Sequence, residues 1–346
     1  MSIKPASKRP WSLRLKLLLG GLAAIIILGL ALGLGLGLTI GQNGDDDDGD
    51  SNNPPTSTRS PLPSPNTTLP WVPRVNDTWQ IILSHPPLLS SNDKATTPNV
   101  SIFDIDLFDT PTETIKQLHD LGKKVICYFS AGSYEEWRPD AGQFQPADLG
   151  KNLDGWPGEK WLKVGNENVR RIMKSRVEMA KEKGCDGVDP DNVDGYQNKN
   201  GLSLTQDDAI EYLSYLSSIA RPLNLTLGLK NAGDIIPVVL PVVEFSVNEQ
   251  CVEYGECDTF QPFIEDGKPV FNIEYPKGAG EGEAQTHGLK DDVMEKFCER
   301  SGGAAASAGF STVLKQMELG GWVEYCDGKV EVTAVNATVG NRGQSR

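Results

Sequence analysis

Cys185-Asp-Gly-Val-Asp-Pro-Asp-Asn-Val-Asp-Gly-Tyr196 holds four aspartates and neither a lysine nor an arginine to pair with them. Its short apolar step, Gly187-Val188, leads into Asp189-Pro190-Asp191, and proline there ends regular structure. The pattern predicts a buried strand that stops and presents carboxylates at its C-terminal end, where the catalytic residues of a parallel-strand barrel sit. A solvated acidic turn is the simpler alternative. A calcium loop fails on spacing: counted from Asp189, the fifth position is Val193 and the twelfth Asn200, where an EF-hand takes an acid and a glutamate.

Outward from this stretch, short apolar runs alternate with helical patterns, the signature of a parallel α/β fold. Strands are expected at 79–83, 100–105, 124–129, 187–189, 226–230, 245–248, 269–274 and 311–315. Thr110-Pro111-Thr112-Glu113 reads as a capping box opening a helix that stops at Gly122. Val169, Ile172, Met173, Val177 and Ala180 form an apolar stripe at helical spacing, and Thr205 with Asp208 opens a further helix that turns Ile210, Leu213, Leu216 and Ile219 inward. Eight strands over roughly 250 residues fit a single (β/α)8 TIM barrel. The alternative, a doubly wound open sheet, lacks a Gly-x-Gly-x-x-Gly after its first strand.

The barrel is expected over 71–328. Before it, residues 17–40 run for 24 positions without a charge, enough to cross a bilayer as a helix. A basic tail (1–16) precedes this run and aspartates follow it, which predicts a single-pass type II membrane protein with its catalytic domain outside the cell. A cleaved signal peptide is the competing reading. Residues 41–70, rich in Pro, Ser, Thr and Asp, read as a disordered stalk, and 329–346 as a loose C-terminal tail. Five Asn-x-Ser/Thr sequons, at Asn66, Asn76, Asn99, Asn224 and Asn336, suit the secretory pathway.

A net charge of −14 argues against nucleic acid and favours neutral or cationic partners. Of six cysteines, Cys251 and Cys257 suit a local disulfide, and Cys298 and Cys326 could tie the last helix to the C-terminal segment. Cys127 and Cys185 are a third bridge or two buried thiols. Scattered histidines and the lack of Cys-x-x-Cys make a zinc site or a Ser-His-Asp hydrolase a poor fit, and no cofactor or metal is called for.

Carboxylates recur at the predicted strand ends: Asp104 and Asp106, Asp189 and Asp191, Glu249, and Glu274. Tyr128-Phe-Ser-Ala-Gly-Ser-Tyr-Glu-Glu-Trp-Arg138 adds aromatics and Glu135. Acids ringed by Tyr and Trp make a sugar site, since aromatic faces stack on pyranose rings and carboxylates bind hydroxyls or amines. Glycoside hydrolysis needs two carboxyl groups, roughly 5–5.5 Å apart for retention and roughly 6.5–9.5 Å for inversion. Each residue also has a plainer reading: Asp194 as a turn cap, Glu135 or Glu136 on a solvated face, Asp104 as structural, Trp137 and Tyr275 as packing. Glu249, an acid directly after an apolar strand, is hardest to explain that way.

Asp-Gly-Val-Asp-Pro-Asp-Asn-Val-Asp-Gly-Tyr, Leu-Gly-Leu-Lys-Asn-Ala and Val-Asn-Glu-Gln-Cys, with Ile-Asp-Leu-Phe-Asp and Cys-Tyr-Phe-Ser-Ala-Gly-Ser-Tyr-Glu-Glu-Trp-Arg-Pro-Asp, resemble glycoside hydrolase family 114, the endo-α-1,4-polygalactosaminidases. The resemblance spans about residues 71–326. It implies a retaining (β/α)8 enzyme cutting inside a galactosamine-containing α-1,4 galactosaminogalactan, with Glu249 as general acid/base and Asp191 (or Asp189) as nucleophile. Asp189, Asp194, Asp104, Asp106, Tyr128, Ser133, Glu135, Trp137, Lys230, Asn231, Glu274 and Tyr275 are the expected substrate contacts. A deacetylated galactosamine unit is cationic, so the partner expected is a cationic polysaccharide met by a monomeric enzyme. The rivals are a non-cutting lectin on the same barrel and a hydrolase of a neutral α-galactoside.

Overall fold

A computed structural model describes residues 59–299 and 302–339. The expected tail at 1–16, the span at 17–40 and most of the stalk lie outside the described residues. Among those described, no helix is long and apolar enough to cross a membrane.

Thirteen strands are described. Three lead: β1 (Trp79–Ile82), β2 (Ile102–Asp106) and β3 (Lys124–Ser130). Then β4 (Ser133–Glu135), β5 (Leu149–Asn152) and β6 (Glu159–Leu162) form a small antiparallel sheet of their own. The main sheet resumes with β7 (Gly187–Asp191), β8 (Thr226–Lys230), β9 (Phe245–Glu249), β10 (Val270–Glu274) and β11 (Ser311–Leu314), and ends in the hairpin β12 (Trp322–Tyr325) and β13 (Val330–Val332). Neighbours from β1 to β11 pair in parallel, so all eight expected strands are present, in order and pointing the same way. β12 and β13 pair antiparallel.

This ten-stranded sheet curls as in a TIM barrel. Alternate residues turn inward, and Trp79, Ile81, Ile102, Ile126, Phe245, Val247, Phe271, Ile273 and Val313 pack into one apolar cluster inside the curl. Its two ends approach through Trp79 Nε1, 2.8 Å from Ser311 O, and Leu83 N, 2.9 Å from Leu319 O. The buried Lys315 ammonium reaches Gln80 Oε1 and Gly320 O across the same seam.

The opposite faces of the strands pack on α1 (Thr112–Asp120), α2 (Glu167–Lys183), α3 (Gln206–Ala220) and α4 (Asp291–Cys298). The α2 stripe is buried in full, and of the four residues of α3 expected to turn inward only Ile219 is left half-buried. The box at Thr205 forms, with Thr205 Oγ1 and the Asp208 carboxylate exchanging bonds with each other's backbone amides. That at Thr110 does not. The loop's amides at Phe108 and Asp109 are taken by the Asp106 carboxylate instead, and α1 starts at Thr112 behind Pro111.

Both expected boundaries move outward. Residues 59–70, read as stalk, run down the outside of the sheet: Arg59 pairs with Asp207 at the start of α3, Leu62 N bonds Val238 O, and Arg221 beyond the end of α3 bonds Thr67 O. Beyond 329, β13 adds to the sheet and Val335 bridges Pro87, so this part of the expected tail is ordered. Cys127–Cys185, Cys251–Cys257 and Cys298–Cys326 are all disulfide-bonded.

Candidate active site

Inward-facing residues at the C-terminal ends of β7, β8, β9 and β10 meet at one mouth. Lys230 Nζ, on a side chain 2% exposed, lies 2.8 Å from Glu249 Oε2 and 3.3 Å from Asp191 Oδ1. Those two lengths together cap the separation of the two acid oxygens at about 6 Å. Tyr128 OH donates to Asp191 Oδ2 at 2.8 Å, and Asn192 N to Oδ1 at 2.7 Å. Glu249 receives Asn231 Nδ2 at 3.2 Å on Oε2 and the Tyr275 hydroxyl on Oε1. The acids keep 15% and 25% of their side-chain surface open, so both face solvent over a buried cation.

The cleft above them is lined by Asp194, Trp137, Trp156, Glu135, Glu159 and Asn192, closed on the seam side by Leu83, Met317 and Leu319. Its wall comes from the β4–β5–β6 sheet, brought close by Gly132. A Cβ there would stand 1.7 Å from Asn192 O, so only glycine lets the two backbones touch.

Positive charge is scarce here, and the carboxyls respond. Burial would raise Glu249, but the Lys230 ammonium and the hydrogen bonds from Lys230, Tyr275 and Asn231 outweigh it and hold the carboxyl below its usual range. Burial, with Asp191's charge added, lifts Asp194 to about 6. Burial and the facing Glu135 charge lift Glu159 to about 8. Deeper in the curl, the four carboxyl oxygens of Asp104 and Asp189 have no donor of their own. Burial raises both groups, Asp189 to about 8, and the charge of Asp189 adds to the rise at Asp104.

Of the expected site residues, Asp191, Glu249, Lys230, Asn231, Tyr128, Tyr275, Trp137, Asp194 and Glu135 line the cleft. Asp104 and Asp189 lie beneath it, fully buried, so neither is placed as a substrate contact and Asp189 is not placed as a nucleophile. Asp106 is tied up: Arg138 grips it at 3.0 and 2.7 Å. Glu135 is no solvated face, since Arg138 holds it at 2.7 and 2.9 Å and Arg176 stands 3.9 Å off. Ser133 is buried, donating to Glu159 Oε2 at 2.9 Å. Glu274 points to the helix side of its strand and accepts from Val252 N at 2.8 Å, because inward and outward positions alternate and Tyr275 takes the inward one. Asp194 makes no side-chain cap bond. Sequence reasoning missed Trp156 and Glu159, whose stretch, Asp154-Gly-Trp-Pro-Gly-Glu-Lys-Trp161, reads only as a glycine-rich loop with tryptophans.

A family model described as glycoside-hydrolase family GH114 matches residues 60–331. The chain belongs to that family. It is thus a glycoside hydrolase. Among solved structures it is similar to Aspergillus fumigatus Ega3 in complex with galactosamine, at 51% identity and a TM-score of 0.68, covering 75% of this chain and 99% of that one. The glycoside hydrolase domain of PelA from Pseudomonas aeruginosa shares the fold at 12% identity and a TM-score of 0.50, again over 75% of this chain and 99% of that one. Comparison with curated proteins returns no match.

Proposed function

We propose that this chain is a retaining, endo-acting hydrolase of α-1,4-linked galactosamine in a galactosaminogalactan-type polymer, working at the mouth of a (β/α)8 barrel. The observation that carries the reading is the pair Asp191 and Glu249 bridged by one lysine, with a ceiling of about 6 Å between the bridged oxygens. One lysine within reach of both holds the carboxyls close together, nearer the short spacing of retention than the wide end of the inverting range. The substrate class follows from charge. Among the described residues Asp194 has no cation within bonding distance, and an ammonium sugar supplies one. The similar chain crystallised with galactosamine supports the same sugar.

In this reading an Asp191 oxygen attacks the anomeric carbon while Glu249 gives its proton to the departing glycosidic oxygen. Water then attacks the glycosyl-enzyme, Glu249 takes the proton back, and the sugar leaves with its configuration retained. Lys230 keeps Glu249 ionised, so the acid step requires the ammonium to move the short way to Asp191. That move frees Glu249 to hold a proton and leaves Asp191 an anion. The lowered Glu249 carboxyl also favours a second reading with the two roles exchanged. Azide added to Asp191→Ala and Glu249→Ala separates them: the acid/base variant gives a glycosyl azide of retained configuration, the nucleophile variant an inverted one.

We also infer an anchor at 17–40 with the enzyme outside the cell, supported by the charge asymmetry around it and by three disulfides, which persist in oxidising compartments. Release of the full chain from membranes by detergent, but not by carbonate at high pH, tests it. The functional test is the size of products from partly deacetylated α-1,4-galactosaminogalactan, read by mass spectrometry. Internal cutting by the wild type and none by Glu249→Gln is expected. Intact polymer that still binds makes the protein a lectin, and equal cutting of the fully N-acetylated polymer removes the cationic substrate.

A further inference from the structure

The topology sorts the sequons onto one pole of the molecule. Asn76, Asn99 and Asn224 each lie two or three residues before a strand, β1, β2 and β8, and so stand at the N-terminal ends of the parallel sheet. Asn66 joins them, because its neighbour Thr67 is bonded to Arg221, which also pairs with Glu244 at the entry to β9. All four asparagines are exposed. Asp191 and Glu249 occupy the opposite, C-terminal ends of β7 and β9 in the same parallel sheet. Two of these sites are side by side: the sequon hydroxyls Thr78 Oγ1 and Ser101 Oγ are 3.3 Å apart. Asn336 is the exception, with its backbone amide on Pro86 O just beyond the C-terminal end of β1.

We propose that Asn66, Asn76, Asn99 and Asn224 carry N-linked glycans, forming a sugar-covered pole opposite the cleft and leaving the mouth open to a polymer. The order of events follows from burial. Thr226, the hydroxyl residue of the Asn224 sequon, is fully buried in β8 and its Oγ1 lies 3.4 Å from Asp186 O. Transfer to Asn224 therefore precedes pairing of β7 with β8, during synthesis rather than after folding. Asn76 and Asn224 sit at positive φ, 70° and 59°.

The experiment is glycopeptide mass spectrometry on the full chain made in a eukaryotic secretory host, before and after peptide-N-glycosidase treatment. Glycan at three or more of the four sites is the expected result; two or fewer overturns the proposal. Occupancy is read by mass alone, so it stands or falls independently of what the enzyme cuts. The open mouth is tested by comparing polymer cleavage by the glycosylated and enzymatically deglycosylated protein, with rates expected to agree within about twofold. A larger rise on glycan removal places a glycan over the cleft and overturns that half. Asn66→Gln, Asn99→Gln, Asn76→Gly and Asn224→Gly, glycine being chosen where φ is positive, should each remove one glycan and leave the rate in place.

Discussion

Two acid clusters lie side by side at the mouth of this fold, and their cations are arranged differently. In one, Arg138 and Arg176 serve Asp106, Glu135 and Asp140, with Arg138 forked onto two carboxylates and Arg176 onto Asp140 at 2.8 and 2.9 Å. Every carboxylate oxygen there has a donor, and Phe108 caps both guanidinium groups at 4.7 and 4.9 Å. In the other, Lys230 alone serves Asp191 and Glu249, with Asp189 and Asp194 also within its field. The first arrangement is complete within the protein. The second opens on the cleft, where among the described residues Asp194 has no cation within bonding distance, and that openness, rather than the number of acids, separates a site from a brace.

Removing one charge should therefore have opposite effects in the two clusters. Asp191→Asn is expected to lower cleavage at least about a thousandfold, some 4 kcal/mol on the barrier. It should leave the melting temperature equal or higher, since Asp191's charge raises the carboxyls of Asp104, Asp189, Asp194 and Glu159 around it. Activity assay and calorimetry on the same preparation check both halves; a marked drop in stability would make Asp191 part of a brace. Arg138→Met should do the reverse of relieving strain, leaving Asp106 and Glu135 buried without their cation at a cost of about 3–5 kcal/mol. Urea denaturation measures it, and a cost below about 1 kcal/mol would erase the contrast.

Much of this was legible in the chain itself. Eight apolar runs with acids at their ends give the sheet and the face that reacts, because inward alternation forces Asp189, Asp191, Lys230 and Glu249 toward one axis. Partnership was not legible. Nothing in the spacing of Asp106 and Glu135 says that one arginine, Arg138, folds back between them, while Lys230 is left to two acids. Depth was not legible either: Asp189 and Asp191 share a strand face two residues apart, yet the first is sealed and the second open. Glu159 escaped because its strand is defined by pairing with β4, a contact that a short polar run does not announce.

Glu159 offers the finest test of the comparison, since it borders both clusters. In the antiparallel pair of β4 with β6 it stands directly opposite Glu135, an arrangement that disfavours two negative charges. Burial and that neighbour lift its carboxyl to about 8. The folded chain thus keeps a proton that the unfolded chain releases in the ordinary carboxylate range. Stability from this group is intact at low pH and is lost progressively as pH rises from about 4.3 toward 8. Glu159→Gln keeps the shape and the acceptor for Ser133 but has no proton to lose. Relative to wild type it should gain stability at pH 8, by up to several kcal/mol, and only about 1 kcal/mol at pH 5. Thermal melts of both proteins across that range decide it. Parallel curves would mean that Glu159 ionises freely, and that the paired cluster's surplus charge spills into the cleft as a second anion waiting for a cationic sugar.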